Sequence, residues 1–128
     1  MPTTLSIITD AHRSYMETAL WSSIDMDEDA TPLDANHDVQ DIAGESHDAM
    51  LRDVADFLSG LPTVDLAAAL DALGAEGIGH DFWLTRNRHG AGFWDRGLGE
   101  LGHRLTAAAH AYGSCDLYVG DDGKVYAS

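Results

Sequence analysis

One stretch decides where the core of this chain must be built. Gly79-His80-Asp81-Phe82-Trp83-Leu84-Thr85-Arg86-Asn87-Arg88-His89-Gly90-Ala91-Gly92-Phe93-Trp94-Asp95-Arg96 holds two of the three Trp and two of the three Phe. Side chains of this size supply much of the apolar area that a small domain can bury, so the fold must be organised around them. Three of the seven Lys and Arg residues and two of the seven His lie in the same segment, which makes it either a dense core or a working surface. Asp81–Arg86 and Ala91–Asp95 alternate in polarity and are rich in aromatics, with turn chemistry at Asn87-Arg88-His89-Gly90 between them. That pattern predicts a hairpin.

The flanks have a different period. Leu5, Ile8, Tyr15 and Ala19, thickened by Ile7, Met16, Leu20 and Trp21, predict a helix over residues 5–24. Residues 25–36 are acidic and turn-rich and read as a loop. Val39, Ile42, Met50, Val54, Phe57 and Leu58 predict a second helix over about 38–59, ended by Gly60. Leu61-Pro62-Thr63 breaks the chain, and Thr63 is placed to cap a third helix running through Leu66, Leu70 and Leu73 to Gly74. Residues 98–112 return to helical spacing. A last hairpin follows, Asp116–Val119 and Lys124–Ala127 around Gly120-Asp121-Asp122-Gly123. The expected class is α+β, with N-terminal helices followed by a β-β-α-β-β unit whose small antiparallel sheet packs on helices. Residues 1–128 read as one domain, with an acidic helical part (1–76, loop about 25–37) and a sheet-containing part (77–128).

Charge is the second constraint. The net charge is −15, and residues 1–76 carry sixteen acids against Arg13 and Arg52, whereas residues 77–128 carry six acids against five basic residues. Phosphate binding needs a positive surface, so direct nucleic-acid binding is not expected. Repulsion from anionic lipid disfavours membrane docking, and no apolar run has the length of a span. A basic protein is the favoured partner class. Asp outnumbers Glu by 17 to 5 with a single Lys, a bias that also suits solubility in high salt. The single cysteine, Cys115, excludes an intramolecular disulfide and fits a reducing compartment. The start of the chain lacks the basic and apolar regions of a signal peptide, so a cytoplasmic location is expected.

Several motifs invite a chemical reading. Gly97-Leu98-Gly99-Glu100-Leu101-Gly102 spells a dinucleotide fingerprint but lacks the repeated βαβ context, so no cofactor is expected. Asp25, Asp27 and Asp29 open like a calcium loop, yet Ala30 and Asn36 stand where the turn glycine and the bidentate Glu belong. His80, Asp81, His89, Asp95 and His103 have no metal-ligand spacing, and no metal is expected. As acid–base machinery, His80, Asp81, Arg86, His89 and Asp95 combine an imidazole that titrates near neutrality, an orienting carboxylate and an anion-holding guanidinium. Strand alternation would put His80 and Asp81 on opposite faces, and the plainer expectation is Asp81 or Asp95 paired with an Arg. Trp83 and Trp94 are read both as core and as exposed anchors of a binding surface, with the core favoured for at least one.

The GHDFWLTRN and HGAGFWDR strings, continued through Gly99-Glu100-Leu101 to Leu117–Gly123, resemble a family of small acidic proteins encoded by bacteriophages and other mobile elements of bacteria and archaea. The resemblance covers about the last 50 residues, with the N-terminal part alike in general character. Arg88 stands where the family pattern has Gly. The resemblance implies a phage-type setting and supplies no catalytic residue. The expected function is a binding module, an inhibitor or mimic directed at a basic nucleic-acid-binding host protein. Asp25, Asp27, Glu28, Asp29, Asp34, Asp38 and Asp41 form its charged face, with Trp83 and Trp94 as anchors. The alternative is a small hydrolase-like enzyme that uses the 79–96 hairpin.

Overall fold

The computed structural model describes residues 3–24, 30–89 and 91–128. Among these residues four α-helices, α1 (Thr4–Ser22), α2 (Gly44–Gly60), α3 (Thr63–Arg86) and α4 (Glu100–His110), precede one antiparallel pair, β1 (Leu117–Val119) and β2 (Val125–Ala127). The class is α+β, mostly helical with a two-stranded sheet.

Thr3 starts α1 by accepting a hydrogen bond from the Ser6 amide on its hydroxyl, 3.1 Å. Ala11, Tyr15 and Ala19, with His12, Met16 and Leu20, turn its inner face onto α3. The two helices approach at a glycine. A Cβ on Gly79 would lie 2.1 Å from the Ala11 carbonyl oxygen, so only glycine allows this separation. The second helix begins later than its periodicity suggests: a 3₁₀ turn, Val39–Asp41, precedes α2. Thr63 is the first residue of α3 rather than its cap, and among the described residues no side chain caps that end.

The predicted third helix does break at Gly74, which takes φ 71° and ψ 168° inside α3. Beyond it the first hairpin is overturned. Residues 81–86 continue as helix to Arg86, and Phe93–Asp95 is a 3₁₀ turn. The reason is that Asp81 through Arg86 are all buried, so no face of this turn shows a helical stripe. Its polar members serve as buried partners rather than as a solvated face. Thr85 Oγ1, for one, accepts from the Phe93 amide at 3.1 Å, folding residues 87–95 back onto the helix. The second hairpin forms as read, with Leu117 opposite Ala127 and Val119 opposite Val125. Val125 also bridges to Ile42, and the Ser46 hydroxyl accepts from the Ala127 amide, which ties the sheet to α2.

Aromatic rings from α1, α2 and α3 meet at the centre. Phe57 and Phe82 stack at 4.2 Å, and Tyr15, Phe93 and Tyr112 close around them. Trp83 is buried against Tyr15 and donates its indole N–H to the Ser22 hydroxyl, 2.9 Å. It is therefore a core residue and presents no surface to a partner.

One buried group makes this core sensitive to acid. His12 is 5% exposed, its Nε2 has no hydrogen-bond partner among the described residues, and the His47 ring lies 4.6 Å away with Asp48 beside it. Burial first, and His47 second, lower its pKa from 6.5 to about 4. The unfolded chain then binds a proton below pH 6.5 that the folded chain refuses until about pH 4. Stability from the neutral imidazole is full above 6.5 and falls through that window, by up to about 3 kcal/mol. Urea unfolding at a series of pH values should show this slope, and His12→Leu should flatten it. A slope that persists unchanged in His12→Leu would assign the acid sensitivity to other groups.

Candidate functional site

The outer side of α1 is as ordered as its inner side. Asp10, Arg13, Ser14, Glu17 and Trp21 follow one another at short helical steps, on the arc away from the core. Trp21 is 47% exposed, which corrects its placement among the apolar residues of the helix. The Ser14 hydroxyl donates to the Glu76 carbonyl, 2.6 Å, and brings an acid of α3 alongside. Asp10, Arg13, Ser14, Glu17 and Glu76 line a cleft of about 220 Å³.

On the other side of Glu17 lies a groove of about 340 Å³ between α1 and residues 34–39. Leu20, Trp21 and Val39 line it with Glu17, Asp34, His37 and Asp38. The chain is strapped here by buried Leu33, whose amide donates to the Ser23 carbonyl at 3.0 Å, and by the Ile24–Pro32 bridge. Asp38 and Asp41 cap the following 3₁₀ turn reciprocally: the Gln40 amide donates to Asp38 and the Asp38 amide to Asp41, both at 2.9 Å. His37 approaches Asp41 at 3.9 Å. Glu17 and Asp34, by contrast, have neither a hydrogen-bond nor an ion-pair partner for their side chains among the described residues. Of the predicted charged face, Asp34 and Asp38 line this groove, and Asp41 stands next to them against His37 and the Asp38 amide. Asp25, Asp27, Glu28 and Asp29 lie outside the described residues.

The candidate acid–base set is dispersed. His80 and Asp81 do meet, contrary to the strand reading: as consecutive helical residues they share a hydrogen bond of 2.9 Å between His80 Nδ1 and Asp81 Oδ1. Asp81 is fully buried and is also gripped by Arg96, Nε to Oδ2 and a terminal nitrogen to Oδ1, both at 2.8 Å. This bond to Asp81 raises the Arg96 pKa further, against the opposing effect of burial. The sequence offered Asp81 or Asp95 as the partner of an arginine, and the structure pairs Asp81 with Arg96. The His80 ring stands 5.9 Å from that of Trp21, at the margin of the α1 face.

Arg86 belongs to another environment, buried among Tyr15, Asp53 and the carbonyls of Tyr112 and Gly113. It holds the core and is closed to substrate. His89 lines a separate cleft of about 410 Å³ with Trp83, Asn87 and Cys115 among others. Burial pushes the Cys115 thiol up despite the opposing charge of Arg86, so it stays protonated near neutrality. Asp95 is exposed on the 3₁₀ turn, and Trp94 beside it is 40% exposed. Among the described residues no three metal-ligating side chains converge, and no single helix is long and apolar enough to cross a membrane.

Sequence reasoning missed Trp21, Glu17, Asp10 and Glu76. A signal for the first three was present: a tryptophan four residues after a glutamate, in phase with Asp10 and out of phase with Ala11, Tyr15 and Ala19. Comparison with protein-family models, with curated proteins and with solved structures finds no match to the chain.

Proposed function

We propose that this chain is a non-enzymatic binding module that engages a basic, nucleic-acid-binding protein in the cytoplasm of a cell hosting a phage or other mobile element. The observation that carries this reading is that two carboxylates with no side-chain partner among the described residues, Glu17 and Asp34, are set around a half-exposed tryptophan in a chain of net charge −15. Carboxylates without a partner among the described residues can meet cations of another chain, and like the phosphates of a nucleic acid they compete for basic side chains. Asp38 and Asp41 extend the face, and Asp25, Asp27, Glu28 and Asp29 add charge next to it in sequence.

The test is displacement of labelled duplex from basic nucleic-acid-binding proteins of the host. Expected are displacement that weakens with salt, and a loss of about tenfold or more when Glu17, Asp34, Asp38, Asp41 and the 25–29 acids become Gln or Asn. Displacement indifferent to both would sink the reading.

The 2.9 Å contact of His80 with buried Asp81 favours a second reading, a small hydrolase-like enzyme whose general base is this imidazole. It requires that His80→Ala abolish the biological effect with little change in melting temperature. Retention of the effect in that variant would exclude it.

A further inference from the structure

We infer that the groove between α1 and residues 34–39 is a pocket for an arginine side chain of the partner, with the guanidinium flat against Trp21 and paired with Glu17 and Asp34. This rests on the binding-module reading and names the chemical group recognised. The groove, about 340 Å³, is at the lower end for small-ligand sites, so it suits one long side chain rather than an element of backbone.

Its composition selects among occupants. Leu20, Trp21 and Val39 give an apolar lining suited to a methylene stem. An aliphatic or aromatic side chain would fill the lining but leave Glu17 and Asp34 facing it with reduced hydration and no counter-charge. An anion is rejected by the carboxylates, since His37, the basic ring among the described residues lining the groove, already approaches Asp41. A cation satisfies both demands. Between the two cationic side chains, guanidinium is the planar one. It stacks on an indole face, is weakly hydrated, and directs N–H groups outward in its own plane toward carboxylates at the edge. A lysine ammonium is compact and strongly hydrated, and it gains less from the ring.

The experiment is calorimetric titration of the full chain with a short peptide alternating glycine and arginine, and with its lysine counterpart of equal length and charge. Both are run at about 0.05 M and about 0.3 M salt. The arginine peptide should bind about three- to tenfold more tightly than the lysine peptide, and Trp21→Leu should remove that difference. Asp34→Asn, at an exposed position, is the second variant and should weaken the arginine peptide about threefold without lowering the melting temperature. Equal affinities that Trp21→Leu leaves unchanged, but that salt and loss of Glu17 and Asp34 still weaken, overturn the pocket and leave the acidic face standing. Failure of both peptides to bind at low salt overturns both.

Discussion

Gly79→Ala is expected to destabilise the protein by about 3 kcal/mol, at the upper end for adding a single methyl group. Two effects compete at this position. Alanine favours a helical backbone over glycine by roughly 1 kcal/mol, so on propensity alone the substitution should stabilise α3. The new Cβ, however, would lie 2.1 Å from the Ala11 carbonyl oxygen, 2.9 Å from its carbonyl carbon and 3.1 Å from its Cα. These are backbone atoms of a helix, and no rotamer change moves them aside. Relief requires α1 and α3 to separate, which loosens the packing of Ala11, Tyr15 and Phe82 at once. Gly60→Ala is the matched control, because a methyl group added there would meet nothing within 4 Å. In urea the Gly79→Ala midpoint should fall well below wild type, while Gly60→Ala should match or exceed it. Equal midpoints for the two variants would show that the crossing of α1 and α3 is slack, and would remove the reason for glycine at 79.

The parts of the fold legible from sequence are those where one face meets water. Helix α1 alternates between an inward and an outward arc, and the stretch 98–112 does the same around α4. The second hairpin is announced by its turn, Gly120-Asp121-Asp122-Gly123, whose ends close through the Gly120 amide and the Lys124 carbonyl at 2.8 Å. The segment 79–96 fails for the opposite reason. The polar residues of its helical turn, Asp81, Thr85 and Arg86, are buried and spent on specific partners, Asp81 on Arg96 and Arg86 on Tyr15 and Asp53. Polarity therefore does not report exposure there, and alternation suggests a strand where the backbone is helical.

The same logic separates the two candidate sites. The residues that look most chemical in the sequence, in 79–96, are largely neutralised by one another or enclosed. The acids that look merely soluble keep their charge uncommitted: Glu17 and Asp34 have no partner among the described residues, and Trp21 stays half in water beside them. A half-exposed tryptophan offers apolar ring area, and the carboxylates around it raise the local negative potential. A partner that supplies cation and ring contact together would use both features, so the proposed binding surface lies on α1 and not on the aromatic segment.

Arg86 supplies the sharpest contrast between a structural and a chemical cation, and Arg86→Met is expected to destabilise the protein by about 3 kcal/mol. The guanidinium is 6% exposed and lies 5.7 Å from the ring centroids of both Phe82 and Tyr112. Its Nε donates to the Gly113 carbonyl at 2.8 Å and one terminal nitrogen to the Tyr112 carbonyl at 3.1 Å. The other reaches the Tyr15 hydroxyl at 2.9 Å and Asp53 at 2.7 Å. Burial disfavours the charge, and Tyr15 with Asp53 more than restore it, so the pKa moves up. Methionine fills similar space but leaves four acceptors without a donor. Asp53 is 38% exposed and can be hydrated, whereas Tyr15 is fully buried and cannot. The loss should therefore sit at the lower end for breaking a buried ion pair. Adding Tyr15→Phe to Arg86→Met should cost about 1 kcal/mol less than the two single changes predict, because the orphaned hydroxyl disappears with it. Thermal unfolding of the four chains measures both quantities, with a drop of roughly 10 °C expected for Arg86→Met. Below its transition that variant should still bind a basic partner, since the α1 face is built without Arg86. A melting temperature equal to wild type would mean the guanidinium is not needed by the core, and would return Arg86 to the cations available to hold an anionic substrate.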